Sequence, residues 1–94
     1  MPSRILAKIR ARVRLGQYMM TLHAEEEMDE DGFSIFDVEN VLLTGSIVGR
    51  QTDRQAKARK YLIEGRTADN TEDLVVVARF GLGGELVVVT VYAK

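Results

Sequence analysis

The sequence predicts an α+β domain in which N-terminal helices pack on a four-stranded antiparallel meander sheet. Two observations lead to this class. Apolar residues recur at helical spacing before residue 45, and four short strand patterns, separated by turn residues, follow it. A chain of 94 residues corresponds to a single domain, residues 1–94.

A basic helix opens the chain. Ser3 is a suitable N-cap, and an apolar stripe follows it: Ile5, Leu6, Ile9 and Val13. A second stripe, at spacing i, i+4, i+8, is basic: Arg4, Lys8 and Arg12. This stripe is either a solvated helix face or a surface that contacts phosphate groups. Gly16 ends the helix, and Tyr18–Thr21 is too short for periodicity to separate a linker from a short strand.

The next segment, Thr21–Gly45, contains eight of the fourteen acids and the only histidine, His23. A short helix opens at His23. It ends near Asp31, because carboxylates late in a helix oppose the helix dipole. Gly32 suits the left-handed conformation that follows a helix.

A third helix follows this corner. Ser34 is its N-cap, and Asp37 stands three residues later in a capping-box position. Its apolar face consists of Ile35, Val38, Val41 and Leu42. Gly45 ends the helix.

Four strands are predicted after Gly45, at residues 46–52, 59–65, 74–80 and 86–92, with turns or loops at 53–57 and 66–72. In the second strand Arg59, Tyr61 and Ile63 share one face. The last two strands are apolar at nearly every position, which indicates burial on both faces. The glycine-rich residues 81–84 between them predict a hairpin.

The position of the last strand, Leu86–Tyr92, raises a question about partners. In a simple meander this strand lies at an edge, although it is the most apolar of the four. An uncovered apolar edge favours pairing with other chains. Either Tyr18–Thr21 pairs with it or a second chain does, so a homodimer or an obligate partner is expected.

Charge is distributed unevenly along the chain. Residues 1–24 contain five basic groups and no acid, residues 25–45 contain eight acids and no base, and the net charge is −1. Either the molecule has a basic face, or the first helix lies near the acidic corner and neutralises it. The near-neutral total favours the second interpretation, because nucleic-acid-binding proteins usually have a net basic patch.

Composition excludes several kinds of site. The absence of cysteine excludes disulfides, thiolate metal sites and cysteine nucleophiles. His23 with Glu26 or Glu27 lacks the further ligands that a metal site needs, so no metal and no cofactor are expected. No apolar run reaches transmembrane length and no signal peptide is recognisable, so a cytoplasmic protein without a membrane partner is expected.

Several short motifs, spread over residues 18–93, resemble those of the family called domain of unknown function 4258. They are His23-Ala24, Met28, Gly32, Ser34, Asp37-Val38, the strand with Tyr61, and the closing Thr90-Val91-Tyr92. The resemblance implies a compact α+β fold similar to the RelE/ParE class of toxins directed at RNA or the ribosome, some of which are encoded beside an antitoxin protein. Where the family pattern has arginines, this chain has Glu27 and Asp31, and carboxylates there would repel RNA.

Metal-independent cleavage of RNA needs a general base, a general acid and cations near the reacting phosphate. The candidate catalytic residues are His23, Arg59, Tyr61 and Tyr92, and the candidate substrate-binding residues are Lys60 and Arg66. Each also has a structural interpretation. The histidine can bond to a nearby carboxylate or backbone carbonyl, the tyrosines can pack in the core or at its rim, and the cations can lie at a solvated strand end.

Two functions remain open at this point. The first is a RelE-like toxin acting on RNA or the ribosome as a metal-independent endoribonuclease, with an antitoxin as partner. The second is a non-enzymatic interaction domain that pairs with itself or with a partner through its apolar last strand. His23 and the Arg59/Tyr61 face favour the first, whereas Glu27 and Asp31 favour the second.

Overall fold

The computed structural model describes residues 3–54 and 57–94, with the backbone alone at Asp53. In this part of the chain there are three helices, α1 (Arg4–Arg14), α2 (Leu22–Glu30) and α3 (Ile35–Thr44). There are five strands, β1 (Tyr18–Met20), β2 (Ser46–Asp53), β3 (Ala58–Arg66), β4 (Asp73–Phe80) and β5 (Leu86–Ala93). The α+β class is confirmed. The turn predicted at 53–57 includes residues 55 and 56, which lie outside the described residues.

Side-chain caps begin the helices. Ser3 Oγ accepts a backbone N–H of α1 at 3.2 Å, as predicted. The capping box of α3 is complete, because Ser34 Oγ accepts the N–H of Asp37 and the Asp37 carboxylate accepts the N–H of Ser34. Gly32 has φ +74°, the left-handed corner predicted for it. Helix α2 begins one residue earlier than predicted, because Thr21 Oγ1 caps it.

The sheet has the strand order β1-β5-β4-β3-β2. Strands β2 to β5 form the predicted antiparallel meander. The expectation of a four-stranded, wholly antiparallel sheet is wrong, since β1 adds a fifth strand parallel to β5, with Tyr18 opposite Leu86. Three residues carry too little periodicity to predict a strand whose partner is distant in sequence. The first alternative for the β5 edge is therefore the one observed, and no second chain is needed to pair with residues 86–88 of β5.

The core lies between the helices and one face of the sheet. Register places Ile63, Val76 and Val91 side by side on this face, and all three are fully buried. The helices contribute Ile9, Val13, Ala24, Val38, Val41 and Leu42. Val75, Val77 and Val87 point to the opposite face and are also buried, outside this cluster. Burial on both faces of β4 and of the first half of β5 is thus confirmed. No helix in residues 3–54 and 57–94 is long and apolar enough to cross a bilayer.

One hydrogen bond ties the short strand β1 to α3. The Tyr18 hydroxyl donates to Glu39 Oε2. Burial and this contact with the Glu39 carboxylate raise the pKa of Tyr18 from its ordinary value of 10.0 to about 12. The neutral phenol is therefore the form that the folded state prefers.

This shift predicts a loss of stability at high pH. The unfolded chain releases the Tyr18 proton near pH 10, whereas the folded chain keeps it until about pH 12. The stabilisation is complete below pH 10 and is lost as pH rises through this window. Urea unfolding at neutral pH and between pH 10 and 12 should give a wild-type free energy that falls more steeply than that of Tyr18→Phe. Parallel curves for the two proteins would contradict the prediction.

Candidate nucleic-acid interface

Three strands bring basic and aromatic side chains together on the helix-covered face of the sheet. Alternation along β3 places Arg59 and Tyr61 on this face, as predicted. Arg50 of β2 pairs with Tyr61, and Phe80 of β4 lies two residues beyond Ala78, the other partner of Tyr61. These four residues, together with Lys8 of α1, form what we call the basic–aromatic surface.

The aromatic rings hold two of the cations in place. Lys8 Nζ lies 4.9 Å from the centroid of the Phe80 ring, and Arg50 Cζ lies 5.9 Å from that of Tyr61. Both distances are within the range of cation–π attraction. The two rings pack edge to face, with centroids 6.4 Å apart. Because Tyr61 is only 8 % exposed, it positions Arg50 and is not itself a stacking platform.

No ion pair among the described side chains neutralises these cations. The described side chains form the ion pairs His23–Glu27, Arg66–Asp73 and Lys94–Glu64, none of which involves a cation of this surface. None of the described pairs joins α1 to the acidic helix α2. Helix α1 does lie beside α3 of the acidic segment, where Arg10 donates to the Gly45 carbonyl, so both interpretations of the charge distribution stay open.

His23 belongs to a different part of the structure. Its side chain is 67 % exposed, and Nε2 lies 3.2 Å from Glu27 Oε1, one turn further along α2. The same Glu27 oxygen accepts the backbone N–H of Val91 at 3.1 Å. His23 therefore contacts a nearby carboxylate, as in the structural interpretation that the sequence allows for this residue.

Glu27 has a role of its own in this arrangement. Strand β1 covers only residues 86–88 of β5, and beyond it the Glu27 carboxylate accepts the N–H of Val91 at the strand edge. An arginine, which has no acceptor, cannot do this. The acid at this position thus has a structural reason that the family pattern does not reveal.

The other predicted site residues lie apart from Arg59 and Tyr61. Tyr92 is opposite Val75, which in turn is opposite Glu64, so Tyr92 lies on the other face of the sheet from Tyr61. Lys60 is also on that face, by alternation along β3.

The edge that His23 approaches belongs to β5, and β4 separates it from β3. The two strands are about 10 Å apart at the usual strand spacing. His23 and Tyr92 therefore do not join Arg59 and Tyr61 in one catalytic group.

Arg66 is held by its own loop. Its guanidinium donates to Asp73 Oδ1 at 3.0 Å, to Asn70 Oδ1 at 3.1 Å and to the Asn70 carbonyl at 2.6 Å. These contacts fix the connection between β3 and β4. Of the six predicted site residues, the structure brings together only Arg59 and Tyr61.

Sequence reasoning missed Arg50 and Phe80 as parts of this surface. The basic stripe on α1 did signal Lys8, as a candidate for phosphate contact. The face of Arg50 could not be predicted from alternation, because β2 has a bulge between Ile47 and Gly49. A bulge adds a residue and breaks the period of two, so counting from the start of the strand assigns Arg50 to the wrong face.

The described residues contain no group of three or more His, Cys, Asp or Glu side chains that could hold a metal ion. No curated protein matches the sequence. A family model described as a domain of unknown function, DUF4258, matches residues 20–93, which is most of the chain. The protein therefore belongs to the DUF4258 family.

Proposed function

We propose that this protein is a RelE-like protein that acts on RNA by holding its phosphodiester backbone on the basic–aromatic surface. The observation that carries the proposal is that Lys8 and Arg50 lie over two aromatic rings on the face of the sheet that also carries Arg59, with no carboxylate paired to any of the three among the described side chains. Uncompensated cations clustered on one face are the usual electrostatic footprint of nucleic-acid binding.

The cation–π contacts support phosphate binding in a specific way. A guanidinium that lies over a ring keeps its N–H groups at the periphery, where they remain able to donate to phosphate oxygens. Arg50 lies over the Tyr61 ring, and Lys8 lies over the Phe80 ring. Less side-chain entropy is lost on binding when the cations are already ordered.

The helix α1 extends the surface along a line. Arg4 precedes Lys8 by four residues, about 6 Å along the same helix face. Arg12 follows Lys8 by another four residues and donates to the Gln17 side chain. A row of cations along one helix suits an extended single strand. The net charge of −1 does not oppose this, since the local field depends on the charges of this face.

The RelE-like assignment rests on the resemblance of the helix corner and the closing strand to such toxins, and the α+β class is compatible with it. Any endoribonuclease activity of this surface would rely on Tyr61 and the three cations. His23 lies elsewhere and is left out of the proposed site.

Binding of a labelled single-stranded RNA oligonucleotide of mixed sequence tests the proposal. Fluorescence anisotropy should show an affinity that falls as salt rises. Arg59→Glu should weaken binding about tenfold or more and lower the dependence on salt, because one phosphate contact is lost. Arg14→Glu is the matched control, with the same charge change on α1 but outside the surface. Equal effects of the two variants, or no binding by the wild type, would overturn the proposal.

A further inference from the structure

The two edges of the sheet are built differently. Strand β1 covers the first half of β5, Thr21 Oγ1 donates to the Val89 carbonyl at 3.3 Å, and Glu27 accepts the N–H of Val91. At the opposite edge, β2 pairs with β3 alone, and no other backbone hydrogen bond involves residues 46–53 within the described chain. Eight residues of unpaired strand edge are a template for another strand.

A groove of about 690 Å³ lies beside this edge, between α1 and β2. Its walls include Leu6, Ala7 and Arg10 from the helix and Ile47, Gly49 and Arg50 from the strand. Val48, at the bulge of the same strand, is 54 % exposed. The unpaired backbone edge of β2 therefore lies next to the groove. A strand that paired with this edge would place side chains of one face in the groove.

The charges of the groove indicate what would bind there. Arg10 and Arg50 line it, and none of its described lining residues has a carboxylate. Arg10 Nη2 donates to the Gly45 carbonyl at 2.8 Å, but its Nε is buried without a hydrogen-bond acceptor among the described residues. Arg10 forms no ion pair with a described side chain, so its positive charge at the groove wall favours a carboxylate there.

We propose that the β2 edge binds an extended, acidic segment of another protein, which adds a sixth strand to the sheet. Main-chain hydrogen bonds to β2 would supply affinity, as in other cases of strand addition. Side chains of a strand alternate between its two faces, so acids at every second position would face Arg10 and Arg50. The proposal does not depend on RNA binding.

A second copy of this chain is a poorer occupant. Antiparallel pairing of two β2 edges would bring Arg10 and Arg50 of both copies to one seam, where like charges repel. The bulge at Val48 also interrupts the regular repeat of backbone groups. A flexible peptide can follow such an edge more easily than a second rigid sheet can.

The test uses the 94-residue chain, labelled with ¹⁵N, and the capped synthetic peptide TEVEVET. The expected result is a set of amide shifts, together with slower hydrogen exchange, concentrated in residues 46–53. The peptide TKVKVKT should not bind, since lysines would face the two arginines. Two peptides are made, one N-methylated at the odd-numbered residues and the other at the even-numbered residues. One of the two should not bind, because its methyl groups replace the N–H donors that face β2.

Protein variants separate this site from the RNA surface. Arg50→Glu should weaken peptide binding tenfold or more, and Arg14→Glu should not. Residue 59 lies outside the groove, so the Arg59→Glu variant should bind the peptide like the wild type. That result would also show that this variant is folded. Equal binding of the acidic and basic peptides, no binding at millimolar concentration, or shifts located at β1 and α2 would each overturn the proposal. So would a free protein that sediments as a dimer with the β2 amides already protected.

Discussion

Induced expression of the wild-type chain in bacteria is expected to arrest growth and deplete intact messenger RNA, and the double variant Arg50→Glu/Arg59→Glu is expected to do neither. Both arginines belong to the surface proposed to hold RNA. Reversing both charges replaces two phosphate contacts with two repulsions, so RNA affinity should fall about a hundredfold, at roughly tenfold for each contact. Cell counts and electrophoresis of total RNA measure the two effects.

His23→Ala is the variant to compare with this double variant. His23 contacts Glu27 on α2, away from the basic–aromatic surface, so its removal should leave growth arrest in place. Arrest that disappears in soluble His23→Ala protein would contradict the site proposed here. A soluble wild-type chain that leaves growth and RNA unchanged would contradict the toxin assignment, while RNA binding in solution tests the surface separately.

Gly45→Ala is expected to destabilise the fold by about 3 kcal/mol or more, the range of severe overpacking. An alanine Cβ at this position would lie 2.4 Å from the Glu64 carbonyl oxygen and 2.6 Å from that of Val41. Both contacts are with backbone, which cannot rotate away. The φ angle of Gly45, −80°, is accessible to every type of residue. The loss of stability therefore arises from crowding between α3 and β3. Urea unfolding and the melting temperature, which should fall by more than about 10 °C, measure the effect.

Gly49→Ala is the matched control for this substitution. Its Cβ would lie 3.7 Å from the nearest atom of Leu62, an ordinary van der Waals contact. We expect its unfolding free energy to change by less than about 1 kcal/mol. Similar losses in the two variants would show that the close approach of α3 to β3 is not what requires glycine at position 45.

Gly45 ends α3 for a different physical reason from the one that its position in the sequence indicates. The sequence predicts that this glycine ends α3, and the helix does end there. The usual reason is a left-handed cap, which is what the structure has at Gly32, with φ +74°. At Gly45 the reason is the nearness of β3, a contact between segments that are separate in sequence.

Local sequence patterns determine much of the secondary structure of this protein. The Ser34–Asp37 capping box, the meander from β2 to β5 and the shared face of Arg59 and Tyr61 all depend on residues a few positions apart, so they can be read from the sequence. The homodimer and the antitoxin partner stay predictions, since neither follows from the fold.

Only the tertiary structure decided which charges act together. Pairing of β1 with β5 covers residues 86–88 of that strand, and Glu27 of α2 accepts the N–H of Val91 further along the same edge. The bulge in β2 turns Arg50 toward Tyr61, and packing of α1 brings Lys8 to Phe80. Except for Arg50 and Tyr61, these contacts join residues far apart along the chain, and such contacts form only when the whole core packs, which no local pattern encodes.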